Sequence, residues 1–148
     1  MSESSHKVYL PPREFSPRYG AQYFTAKVID YKLNLSDSCN VRSYIEYTIE
    51  VRNGFGKWIQ NRRFAHFATL HAYMDKELGK FTPKLVIPAL PPKTCFQTFD
   101  DKFVEERMKL LSIFLDDLLK VLNENKSSIK DALYIFLGFG DGKLGKIF

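Results

Sequence analysis

Cysteine is almost missing from this chain. Its 148 residues include two, Cys39 and Cys95. Neither has a partner at metal-ligand spacing, and two are too few for a disulfide framework, so the sequence points to a reducing compartment. Histidine is as sparse. His6, His66 and His71 lie too far apart for a catalytic or metal-binding cluster. No apolar run approaches the roughly 18 residues that a membrane-spanning helix requires. Residues Met1 to Lys7 are polar and hold no apolar signal-peptide core. No glycine-rich phosphate loop is present, because Gly54-Phe55-Gly56 is too short and sits in a hairpin signal. There is no internal repeat. These absences argue against an enzyme, a metal and a cofactor. They point to a cytoplasmic protein whose membrane contact is peripheral.

Apolar and aromatic residues are plentiful. Hydrophobic residues make up 45% of the chain and aromatics 15%, enough to build the core of one domain. The net charge of +5 favours anionic partners: lipid headgroups, nucleic acid or acidic proteins. Charge alone does not choose among them. Lysine and arginine are spread along the chain and no RNA-binding signature appears, which argues against nucleic acid.

Periodicity divides the chain into strands first and helices after, the pattern of an α+β domain. Residues 1–20 contain three prolines and little periodicity, and read as a flexible N-terminal arm. Ile29, Tyr31, Leu33 and Leu35 then alternate with polar neighbours, as do Ile45, Tyr47, Ile49 and Val51. Asn53-Gly54-Phe55-Gly56 is a hairpin signal, since Asn-Gly supplies the positive φ angles of a tight turn. A third strand runs from about Lys57 to Arg63. The expectation is a three-stranded antiparallel meander packed against a helical subdomain.

Phe67, Leu70, His71, Met74, Leu78 and Phe81 follow helical spacing. The run Val86 to Lys93 holds three prolines and must be extended, so a polyproline II loop should join the first main helix to the second. The second helix spans Asp101 to Leu122, and a short one spans Ser128 to Leu137. Residues 21–138 form the expected domain, and 139–148 a glycine-rich tail.

Three features stand out. Arg107 falls on the apolar arc formed by Val104, Leu111, Phe114, Leu115, Leu118 and Leu122 at about 100° per residue. An unpaired guanidinium in a dry core costs several kcal/mol. Arg107 must therefore be paired, reach solvent with its stem packed, or await an anion. Arg62-Arg63-Phe64 offers guanidinium forks that match phosphate oxygens and a ring that can cover a sugar. By itself the pattern is weak, and its plainer reading is a solvated edge arginine beside a core phenylalanine. The rigid prolines ending at Lys93 fix an ammonium with little entropy left to lose. They also suit a structural elbow or a Pro-x-x-Pro ligand.

Taken together these residues, in this order, resemble the Phox-homology (PX) family of phosphoinositide-binding domains. The resemblance runs from about Tyr23 to Leu137. It rests on Arg62-Arg63-Phe64 before a helix, the proline stretch Ile87 to Lys93, the run Phe103-Val104-Glu105-Glu106-Arg107, and the closing Leu133 to Leu137. It implies that Arg63 contacts a 3-phosphate, Phe64 stacks on the inositol ring, Lys93 holds the 1-phosphate side and Arg107 bonds inositol hydroxyls. It also implies that the loop carrying Cys95 and Phe96 dips into the membrane interface, although Phe96 could equally fold back onto the core. The expected partner is a membrane containing phosphatidylinositol 3-phosphate, on endosomes or vacuoles, in a sorting-nexin-like trafficking role. The alternative is a protein-interaction adaptor of the same fold, bound to trafficking proteins. One departure stands in the pattern: His66 replaces the acid that usually favours the first helix's N-terminus.

Overall fold

The computed structural model describes residues 7–35, 43–54, 56–81, 88–91, 100–123 and 130–139. The strands are β1 (Val8–Tyr9), β2 (Tyr23–Asn34), β3 (Tyr44–Asn53) and β4 (Lys57–Arg63). The helices are α1 (Phe64–Phe81), α2 (Asp101–Asn123) and α3 (Lys130–Leu137). The α+β architecture is the one the periodicity implies. The sheet has four strands in the order β1-β2-β3-β4, one more than the expected meander. The additional strand, β1, comes from the stretch read as a flexible arm and pairs parallel with β2. Tyr9 explains its attachment. The Tyr9 side chain is buried, its hydroxyl donates to Asp116 at 2.6 Å, and its backbone exchanges two hydrogen bonds with the Asn123 amide. Two-residue strands carry little periodicity, so the sequence pattern does not reveal this one.

Strand β2 begins earlier than its alternation suggests, and it changes face partway. Phe24, Ala26 and Val28 are buried, with Val28 opposite Ile49. The register then shifts between Val28 and Asp30, so that Tyr31 pairs with Tyr47 and Leu33 with Ile45. One extra residue at a bulge turns the inward face from even to odd numbers. Of the four apolar residues in the visible alternation only Tyr31 packs on the core: Ile29 occupies the bulge, Leu33 lies near the strand end and Leu35 beyond it, and all three are exposed. Strand β3 keeps its expected alternation, with Tyr47, Ile49 and Val51 buried.

The β3–β4 hairpin forms where expected, by a different device. Neither Asn53 nor Gly54 has a positive φ. Asn53 closes the turn itself. Its side chain accepts from the Gly56 N–H at 3.0 Å, and its own N–H donates to the Gly56 carbonyl at 2.9 Å. Glycine is required at 54 for closeness: a Cβ there would come within 2.6 Å of the Gly20 carbonyl carbon.

The helices cover one face of the sheet. On α2, Val104, Leu111, Phe114, Leu115, Leu118 and Leu122 are buried, together with Leu119. They meet Phe67, Leu70 and Met74 of α1, and Leu133, Phe136 and Leu137 of α3, in one core. Asp100 caps α2 by accepting from the Phe103 N–H at 3.2 Å. Helix α3 ends in a Schellman motif. Phe139 N–H donates to Tyr134 O at 2.9 Å, Gly138 N–H donates to Ile135 O at 3.0 Å, and Gly138 supplies the positive φ of 85°. Among the described residues no helix is long and apolar enough to cross a membrane.

Candidate functional site

The site lies where β4 runs into α1 with no intervening loop. Successive strand residues point to opposite faces, so the strand divides the Arg62-Arg63 pair. Arg62 turns toward α3, where Nε donates to the Phe136 carbonyl at 2.9 Å and a terminal nitrogen to the Ile135 carbonyl at 3.1 Å. Its guanidinium also lies over the Phe136 ring, 5.2 Å from the centroid. It supplies a cation and two donors to a helix C-terminus that needs both. Burial draws its pKa below the ordinary arginine value.

Arg63 takes the other face. It stands opposite Glu46 of β3, with its guanidinium 4.1 Å above the Tyr44 ring. Its backbone is fixed as well, since the Arg63 N–H donates to His66 Nδ1 at 2.9 Å. With Arg63 at the N-cap, His66 is the third helical residue and reaches back to the cap. This is the contact that an acid makes in a capping box. The histidine noted as a departure therefore serves the helix start. Burial lowers the His66 pKa first; the nearby Arg62 and Arg63 charges lower it further, and Glu46 opposes them. The three lowering influences prevail over Glu46 and agree with an imidazole that is neutral at Nδ1 and can accept.

Phe64 opens α1 half-buried, packed against the core. The Arg107 guanidinium lies 3.8 Å from the Phe64 ring centroid and 5.2 Å from that of Phe103. The apolar arc of α2 thus holds its arginine between two rings. Burial lowers the Arg107 pKa, and Tyr47, close enough to interact, opposes the shift. Tyr47 itself is pushed upward by burial while Arg107 pulls it down. The guanidinium remains charged, because arginine does not lose its proton in proteins.

Of the four residues singled out in the sequence, Phe64 and Arg107 are in contact, and Arg63 adjoins Phe64 where β4 passes into α1, its own guanidinium on the Tyr44 ring. Of the proline stretch, residues 88–91 fall within the described residues, with Leu90 packed on the core. Lys93, Cys95 and Phe96 lie outside the described residues. Sequence reasoning gave no role to Tyr44, or to Phe103 as a partner of Arg107. Phe103 could have been found from its position one helical turn before Arg107. Tyr44 depends on strand register, which the sequence pattern alone does not specify.

What such a junction can do chemically is narrow. Guanidiniums held on aromatic faces, Arg63 on Tyr44 and Arg107 on Phe64, keep forks that can take phosphate oxygens, and an aromatic face can cover the carbon–hydrogen surface of a sugar-like ring. A family model of the PX domain matches residues 50–139. Among solved structures, the chain resembles a designed CISK-PX domain at 24% identity and a TM-score of 0.58, covering 76% of this chain and 97% of that one. It also resembles the mouse SNX19 PX domain, solved with a bound sulphate ion, at 21% identity and a TM-score of 0.55. That match covers 78% of this chain and 95% of the mouse chain. These likenesses show a shared fold.

Proposed function

The chain belongs to the PX domain family, and we propose that its junction of Arg63, Phe64 and Arg107 binds phosphatidylinositol 3-phosphate on endosomal or vacuolar membranes. PX domains generally bind phosphoinositides for membrane targeting, and they are lipid-binding modules, not enzymes. The finer reading rests on one observation: the Arg107 guanidinium stacks 3.8 Å over the ring of Phe64, directly after Arg63 in sequence. In this reading Arg63 takes the 3-phosphate, Phe64 lies against the inositol ring, Arg107 bonds ring hydroxyls and Lys93 holds the 1-phosphate side. Phe96, beside Cys95, enters the membrane interface as a second anchor, since stable residence at a membrane usually takes two signals. The role is sorting-nexin-like, carrying trafficking partners to the membrane.

The test is vesicle co-sedimentation across singly phosphorylated phosphoinositides. Selective retention on vesicles with phosphatidylinositol 3-phosphate, lost by tenfold or more in Arg63→Ala, is the expected result; a charge-assisted bond of about 1.5–3 kcal/mol supports that size. Equal retention on all of them, unchanged by Arg63→Ala, would sink the reading.

A further inference from the structure

An arginine that must accept a phosphate has to be held still without having its donors used. A carboxylate partner would fix the guanidinium and also occupy the N–H groups that the phosphate requires. An aromatic face fixes the plane and leaves the N–H edges open. Arg63 has the second arrangement. The guanidinium lies 4.1 Å over the Tyr44 ring, and among the described residues no carboxylate forms an ion pair with it. The nearest candidate by register is Glu46, its direct cross-strand partner. That carboxylate is engaged elsewhere, with Lys32 Nζ at 3.8 Å and the Asn34 amide at 3.3 Å. Tyr44 shares the outer face of β3 with Glu46 and lies diagonal to Arg63, within reach of an aromatic side chain.

We propose that Tyr44 is a positioning residue for the phosphate site: its ring holds the Arg63 guanidinium flat, with the N–H edges turned to the incoming phosphate monoester. Tyr44 lies outside the segment 50–139 that carries the family match. The ring is what acts, because no hydrogen bond to the Tyr44 hydroxyl is found among the described residues. The proposal rests on the reading of the site given above, and its test separates the two.

The variants are Tyr44→Phe, which keeps the ring, and Tyr44→Leu, which removes it and leaves a strand-compatible apolar group. Titration with soluble dibutanoyl phosphatidylinositol 3-phosphate should show Tyr44→Phe matching the unmodified domain and Tyr44→Leu weaker by about threefold to tenfold, the range of a stacked cation. Nuclear magnetic resonance of the arginine Nε–Hε groups gives a second readout that a merely structural role would not move. A proton above a ring face is shielded, so the Arg63 Hε should lie upfield in the unmodified domain and in Tyr44→Phe. It should move downfield in Tyr44→Leu while other resonances keep their dispersion. Unchanged binding in Tyr44→Leu, equal losses in both variants, or an unmoved Hε would overturn the proposal. If the unmodified domain ignores the headgroup, or binds inorganic phosphate as tightly, the reading of the site fails. The Hε comparison then decides the role of Tyr44 by itself.

Discussion

Two adjacent arginines should respond to mutation in opposite ways. Arg62→Met keeps the apolar stem and removes the fork that donates to the Phe136 and Ile135 carbonyls at 2.9 and 3.1 Å. Hydrogen bonds from a charged donor contribute about 1.5–3 kcal/mol each and are not fully additive, while a cation at a helix C-terminus adds about 0.3–1 kcal/mol. Packing of the methionine returns part of this, so a net loss of about 3 kcal/mol is expected. For a domain of this size each kcal/mol lowers Tm by about 2–4 °C, so the fall should be about 6–12 °C. Arg63→Ala removes a stack on Tyr44 at a half-exposed position, which is worth about 0.5–1 kcal/mol, so Tm should fall by no more than about 4 °C. Binding reverses the order. Measured where both variants are folded, Arg63→Ala should lose affinity for phosphatidylinositol 3-phosphate vesicles by tenfold or more, and Arg62→Met should keep most of it. The assays are thermal unfolding followed by circular dichroism and vesicle co-sedimentation. If Arg62→Met keeps its Tm and loses the lipid, or Arg63→Ala melts as early as Arg62→Met, the division of labour by strand alternation is wrong.

Arg107→Leu should lose the headgroup by tenfold or more yet shift Tm by less than about 4 °C, because a fitted apolar residue often replaces a buried charge at little cost; a larger fall in a calorimetric scan would make Arg107 a structural partner instead. His66 should make stability pH-dependent. Its folded pKa is lowered, so the folded state disfavours the proton, and the contribution is fully present above the unfolded value of about 6.5 and lost as pH falls toward the folded one. Unfolding of the unmodified domain and of His66→Asn should therefore diverge below about pH 6.5, with the histidine chain losing more; parallel profiles would remove the cap from the account. Phe96→Ala should weaken vesicle binding by about 1.5–3 kcal/mol while leaving soluble headgroup binding unchanged, and equal losses in the two assays would refute insertion.

Legibility in the sequence followed the length of each signal. Helix α2 presents six turns of regular spacing, and its buried residues are those the periodicity selects, with Leu119 added. Arg107 was conspicuous for the same reason, since a long regular arc makes one charged member visible. Strand β2 was read only in part. A bulge between Val28 and Asp30 breaks the two-residue period, and the visible alternation began after the break. Strand β1 was not visible because two residues have no period. Its place is secured by long-range bonds from Tyr9 to Asp116 and Asn123, over a hundred positions away.

The site shows the same limit at finer scale. Arg63 and Phe64 could be named because they adjoin in sequence, but the separate task of Arg62 follows only from knowing which strand face meets α3. His66 looked like a lost acid when judged by charge. Judged by geometry it fills the same place, because the vacant position at a helix start is an N–H in search of an acceptor, and a neutral imidazole nitrogen accepts as a carboxylate does. The substitution even suits its surroundings. A carboxylate beside Arg63 could leave the cap and pair with the guanidinium, competing with phosphate. An imidazole that is neutral at Nδ1 can hold the backbone of Arg63 and leave its side chain to the ring of Tyr44. The helix start and the proposed anion site are thus made compatible by a residue that carries an acceptor and no negative charge.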